Sequence, residues 1–264
     1  MNVLKYEFKR YLPSSLIWGI SLAFFGFVCI QLFVSFSSDV NFFEQMLNAY
    51  SPEMLKAFGA ELSTIKTLPG FYSFCFMYVV VAGVFQSMYM GMHIVSKEIS
   101  GKTADFIYTK PISRQSILIQ KLIAVMLCLL ITNVIYGVGT FISAGMTNIA
   151  FDEGMLLIIN SAMFLTQLLF MSVGFLLACV MSKIKTPLTF TTGVVCSFFL
   201  LQMIVNLEPD GILSYISFLN YVSADSIMRN SGFDMVYLSL LVVLCIGFLS
   251  AGFGYFRRRD IHAL

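Results

Sequence analysis

The segment that decides the reading is Lys97–Lys121, KEISGKTADFIYTKPISRQSILIQK, a polar island between two long apolar runs. It carries five basic residues (Lys97, Lys102, Lys110, Arg114 and Lys121) against two acids, Glu98 and Asp105. The rest of the chain is poor in charge: Asp, Glu, Lys and Arg make up 11% of it, where soluble sequences average about 25%. Crossing a hydrocarbon core takes about 20 apolar residues. Six runs are long enough: Leu12–Phe36, Phe71–Val95, Leu122–Gly145, Met155–Met181, Leu188–Asn206 and Met235–Phe256, none with an acidic or strongly basic side chain. The expected fold is an all-α membrane protein, a single domain over residues 1–264 with six transmembrane helices. The first run is longer than a signal-peptide core and lacks an A-x-A exit, so it is expected to be an uncleaved span.

Charge orients the spans. An even number puts both termini on one side, and the termini-side segments hold 13 of the 16 basic residues but 4 of the 14 acids. By the positive-inside rule both termini and the island 97–121 are cytoplasmic. Short helices are expected outside the spans. Ser51-Pro52-Glu53 has an N-cap residue, a first-turn proline and a first-turn acid, with Gly59 placed to stop the helix. Gly211–Asn220 is apolar but too short to cross, which suits a re-entrant or interfacial helix. Met1–Leu12 places Leu4, Phe8 and Leu12 on one face, an amphipathic pattern expected to lie along the interface until the chain turns in at Pro13.

Gly101-Lys102-Thr103 invites comparison with a phosphate-binding loop. That motif needs a glycine where Ser96 stands, and a strand before it rather than a membrane span. The island has its own logic instead. Gly101 suits a helix C-cap, Ala104, Phe106, Ile107 and Tyr108 form an apolar surface, and Pro111 precedes a helix start with Ser113 as N-cap. Glu98 is close enough to pair with a basic side chain.

Glu98-x-x-Gly101-x-Thr103, then Lys110-Pro111-Ile112-Ser113-Arg114, then Lys121, resembles the first cytoplasmic loop of ABC-2 type transporter permeases. That family's loop reads approximately E-x-x-x-G-T, a hydrophobic stretch, P-[IV]-S-R and a basic residue. Here Gly101 comes three positions after Glu98, and Lys102 intervenes before Thr103. The six-span layout and the Ser51-Pro52-Glu53 helix are similar too. The resemblance implies a permease subunit of an ATP-driven ABC transporter, an exporter of the bacterial cytoplasmic membrane. It implies two permease chains, homo- or heterodimeric, working with two cytoplasmic ATPase subunits that use ATP and Mg, while this chain binds no cofactor and catalyses nothing. The island would be the coupling helix, with Glu98, Gly101, Thr103, Pro111, Ser113, Arg114 and Lys121 transmitting motion and Phe106 and Ile107 seated in the ATPase. The lipid bilayer is a partner; nucleic acid is not.

The remaining polar residues set limits. Asn133, Asn160, Gln167, Gln202 and Asn206 lie within spans, with Gln86 and His93 on the second. The plainer role for such groups is hydrogen bonding across helices; the other is lining a substrate path. His93 is expected at the water or headgroup level. Ion-driven carriers commonly keep an ionisable residue in the membrane, and apart from His93 these spans have none, so energy is expected from another protein. Six scattered cysteines, none in a C-x-x-C pair, read as buried thiols rather than a disulfide framework or zinc site. The competing reading is an ATP-independent membrane enzyme or an assembly or maturation factor, for which Asp225 and Asp234 would have to cluster in an external loop.

Overall fold

Six helices match the six apolar runs and extend beyond them. The computed structural model describes residues 3–38, 43, 45, 47–60, 64–100, 113–147, 149, 151–181, 186–209 and 211–258, with backbone alone at 38, 98–100, 114 and 258. In chain order the long helices are α1 (Val3–Ser38), α3 (Leu68–Ser100), α4 (Arg114–Gly145), α5 (Glu153–Val180), α6 (Pro187–Leu207) and α8 (Met235–Arg258). The short α2 (Pro52–Ala57) precedes α3, and α7 (Ala224–Asn230) precedes α8. Each long helix is apolar and long enough to cross a membrane, and no strand occurs among the described residues. This is an all-α membrane protein.

Two pairs of parallel helices form its centre. Along α1, Gly19, Ala23 and Gly26 let α4 approach closely: a Cβ at Gly19 would lie 3.0 Å from Ile135 Cβ, and one at Gly139 2.6 Å from Ala23 Cβ. Along α3 and α5 the contact is tighter. A Cβ at Gly91 would lie 2.4 Å from the Met171 carbonyl oxygen, and one at Gly174 2.4 Å from that of Met88. Small residues permit such approach, which dispersion then rewards in place of a hydrophobic driving force. At helical spacing Gly83, Gly91 and Gly174 suit close packing and serve it here; at Gly247 a Cβ would meet nothing within 4 Å.

Polar side chains join the two pairs. Gln86 Nε2 donates to Thr132 Oγ1 (2.9 Å), and Asn133 Nδ2 to Gln167 Oε1 (2.6 Å). Nearer the other end the Tyr72 hydroxyl donates to Asn160 Oδ1 (2.5 Å) and shares a bond with the Tyr136 hydroxyl (2.7 Å), while Asn160 Nδ2 donates to Thr140 Oγ1 (2.8 Å). Asparagine and glutamine in these spans therefore act as cross-helix bonds. The outer helices add to this centre: α6 lies on α3 through Tyr78 and Phe199, and α8 lies on α5 through Phe253 and Phe175.

Three expectations need correction. Helix α1 runs without interruption through Pro13, so no separate amphipathic helix turns in there; its first turns are instead fastened to α3 and α4. The stretch Gly211–Asn220 is not one helix but two 3-10 turns, Ile212–Tyr215 and Asn220–Val222, whose carbonyls are taken up by side chains such as the Tyr221 hydroxyl on Tyr215 O (2.5 Å). Cys196 is exposed on α6 rather than buried. Helix α2, by contrast, is built as its sequence predicts. The Ser51 hydroxyl oxygen accepts from Met54 N at 3.2 Å, and Gly59 takes the left-handed conformation (φ 83°) that ends the segment.

Candidate functional site

The start of α1, the end of α3 and the start of α4 come together at one end of the bundle, on either side of residues 101–112. Those residues, with Gly101, Thr103, Phe106, Ile107 and Pro111 among them, lie outside the described part of the structure, as do the side chains of Glu98 and Arg114. Glu98 sits in the last turn of α3 and Arg114 is the first residue of α4. Ser113 is the N-cap of α4 as expected, its hydroxyl oxygen accepting from Ser116 N at 3.2 Å. Ser96 lies buried within helix α3, so no strand-and-glycine phosphate loop is present at that place.

Lys121 is two turns into α4 and almost wholly enclosed, at 1% exposure. Its Nζ donates to the Ile94 carbonyl oxygen of α3 at 3.3 Å, which binds the two helices flanking the island. A second cation is held beside it. Lys97 forms an ion pair with Glu7 of α1, and its ammonium lies 5.1 Å from the centre of the Tyr11 ring. Both partners are largely enclosed, with side-chain exposures of 10% for Lys97 and 4% for Glu7.

The cluster extends one turn deeper. The Tyr11 hydroxyl and His93 Nδ1 share a hydrogen bond of 2.7 Å, and the imidazole stacks on Tyr89 at 5.3 Å. His93 is thus a half-buried partner of α1. It is reached because α1 continues past Pro13 alongside α3. On the other side, Leu4 N, one of the donors that every helix leaves unsatisfied in its first turn, donates to Gln120 Oε1 of α4 at 3.4 Å. Cys128 is buried beneath the same segment, its thiol 3.9 Å from the Phe8 carbonyl oxygen.

Sequence reasoning singled out Lys121 and Ser113 and missed Glu7, Tyr11 and Lys97 as partners. The signal was a single acid within a basic stretch, Lys5-Tyr6-Glu7-Phe8-Lys9-Arg10. A buried acid there calls for a cation, because an unpaired buried charge costs several kcal/mol, of order 3–5. What the cluster can do is mechanical: three helix ends joined by buried charge and hydrogen bonds move as one body. The acids Asp225 and Asp234 serve local structure. Asp225 pairs with Arg229 one turn on (2.7 Å), and Asp234 Oδ1 accepts from Val236 N (2.8 Å) at the start of α8. Among the described residues, no group of His, Cys, Asp or Glu could hold a metal ion.

Six apolar helices with small-residue packing and a polar island between the second and third define a polytopic membrane protein. The profile of the ABC-2 family transporter protein matches residues 1–261, and the chain belongs to that family. No curated protein and no solved structure matches it.

Proposed function

We propose that this chain is the permease subunit of an ATP-driven exporter in a bacterial cytoplasmic membrane, driven through residues 97–121 by a separate ATPase. In that reading Glu98, Gly101, Thr103, Pro111, Ser113 and Arg114 form or position the contact with the ATPase, and Phe106 and Ile107 seat in it. Lys121 carries the load from α4 into α3. Two ATPase copies, fuelled by ATP and Mg, act on a pair of permease chains, with both termini of each in the cytoplasm. The observation that carries this is the buried cluster around Glu7, Lys97 and Lys121. A push on a loose loop is lost in that loop; a push on a segment whose two flanking helices are fastened together, and to α1, displaces all three. Closure of the ATPases then shifts the bundle between two arrangements, which is the requirement for alternating access.

Arg114→Glu tests the contact. The variant should insert and purify as the parent does yet lose most co-purification with the ATPase, because a reversed charge at the first turn of α4 repels where it attracted. Undiminished pull-down at normal expression would refute the assignment.

A further inference from the structure

At the end of the bundle remote from the island, a pocket opens between α3, α6 and α7. Its walls are chiefly apolar, with Phe76 and Val80 of α3 facing Leu219 and Val222. Gln202, Asn206 and Ser223 also line it. Pockets for small molecules have this make-up: apolar walls and a few fixed polar groups. The cleft beside Ile30, Leu68 and Ile159 has Tyr72 on its wall, but that hydroxyl is already engaged by Asn160 and Tyr136.

The polar groups are held in place and keep bonding capacity. Gln202 Oε1 accepts from the Ser217 hydroxyl (2.6 Å), and its Nε2 donates one of two hydrogens to Asn206 Oδ1 (2.9 Å). Asn206 Nδ2 donates to the Ala57 carbonyl oxygen (3.0 Å), which fixes its amide plane. Each amide nitrogen has two hydrogens and each amide oxygen two lone pairs. A second Gln202 hydrogen and a second Asn206 oxygen lone pair are therefore left over. Ser223 Oγ accepts from Ser226 N (3.3 Å), which leaves its hydrogen to donate. The one charged lining residue, Asp225, is matched by Arg229. The lining offers donors and acceptors without an unmatched charge.

We propose that this pocket binds a small uncharged amphipath, an apolar body with a hydroxyl or amide head, the head bonded to Gln202 and Asn206 and the body lying against Phe76, Val80 and Val222. A charged head would have to give up its hydration against a lining whose one carboxylate, Asp225, is already paired with Arg229. The claim concerns binding by this chain alone and is independent of what drives it, so the test uses no nucleotide and no ATPase.

The probe is 1-octanoylglycerol carrying a diazirine in its chain, added to the purified full chain in nanodiscs, irradiated and mapped by peptide mass spectrometry. Label should concentrate on residues 73–80 and 219–224. A hundredfold excess of plain octanoylglycerol should suppress it at least tenfold, while octanoate and octyltrimethylammonium suppress it less than twofold. Ser73→Leu, which places an isobutyl group in the pocket from α3, should lower the labelling of this site at least tenfold; Ala224→Leu does the same from α7 should the first variant fail to fold. Label spread over the outward face of α8 and unchanged by competitor or by the filling variants means partitioning into the bilayer and overturns the proposal. Equal competition by a charged analogue overturns the ligand class.

Discussion

Replacing Glu7 by leucine leaves the Lys97 ammonium largely enclosed and without its carboxylate. Loss of one partner from a buried pair costs about 3–5 kcal/mol. The lower figure applies here, because the Lys97 side chain keeps 10% exposure and can turn toward solvent. The cheapest escape for that charge is for the first turns of α1 to lift away from α3 and α4. At tenfold per 1.4 kcal/mol, about 3 kcal/mol raises the lifted population roughly a hundredfold. Cys128 is a native reporter of this event, buried under Phe8. With Cys196 and Cys245, the exposed and half-buried thiols, changed to serine, maleimide labelling of Cys128 should accelerate by about that hundredfold in Glu7→Leu. Adding Lys97→Met removes the stranded charge and should return the rate to within about tenfold of the parent, since apolar replacement of a whole buried pair is often neutral. Protection of Cys128 unchanged in the single variant, or labelling just as fast in the double, would show that the ion pair does not hold the segment down.

Two further outcomes follow from packing and charge. Gly174→Ala places a methyl group against backbone atoms of α3, 2.4 Å from Met88 O and 3.1 Å from Met92 N, which cannot turn aside; a loss of about 1–3 kcal/mol should appear as a lowered midpoint of thermal unfolding, whereas Gly247→Ala, in open space, should leave it unchanged. Cysteines placed at Lys102 and Lys56 should react with an impermeant maleimide from opposite faces of intact cells, the second from outside; external labelling of both would overturn the orientation.

The spans were legible because membrane crossing is a demand on length and apolarity, and both are local in sequence. The caps at Ser51 and Ser113 were legible for a similar reason, each bond spanning three residues. The partners of Glu7 and Lys97 are 90 positions apart, and no local pattern states which cation a lone acid will find. Pro13 misled because proline usually breaks a helix interior; here the buried contacts of Glu7 and Tyr11 hold the first turns in line with the rest of α1. Composition alone does not distinguish Tyr136, fully enclosed at 0% exposure, from Tyr255 at 58%. The stripe Gly19, Ala23, Gly26 went unread in the sequence, which carries no sign of which helix it would meet.

The two central pairs differ in what holds them together, and that difference says where the bundle can yield. Within a pair, glycines bring backbones into contact, and sliding one helix past the other drives side chains into main chain. Between the pairs the prominent links are side-chain hydrogen bonds, Asn133 to Gln167 and Asn160 to Thr140 among them, each worth about 0.6 kcal/mol and at most about 1.7. At the island end the pairs are fastened by Lys121 on Ile94 O and by the Glu7–Lys97 ion pair, so the seam is free to yield only farther along the bundle, where these amide and hydroxyl bonds are its links. Asn133→Leu combined with Thr140→Val should therefore loosen the pairs against each other and leave each intact, since the Thr140 hydroxyl is the cross-pair acceptor from Asn160. Spin labels at the exposed residues Leu32 of α1 and Leu157 of α5 span the seam, and their distance distribution should broaden in the double variant. Labels at Leu32 and Met146, on α1 and at the end of α4, report within one pair and should keep the parent distribution. Equal broadening in both would mean that the double variant loosens the whole bundle, and no broadening in either would mean that the seam is as firm as the glycine contacts; both results refute a bundle that yields between its pairs.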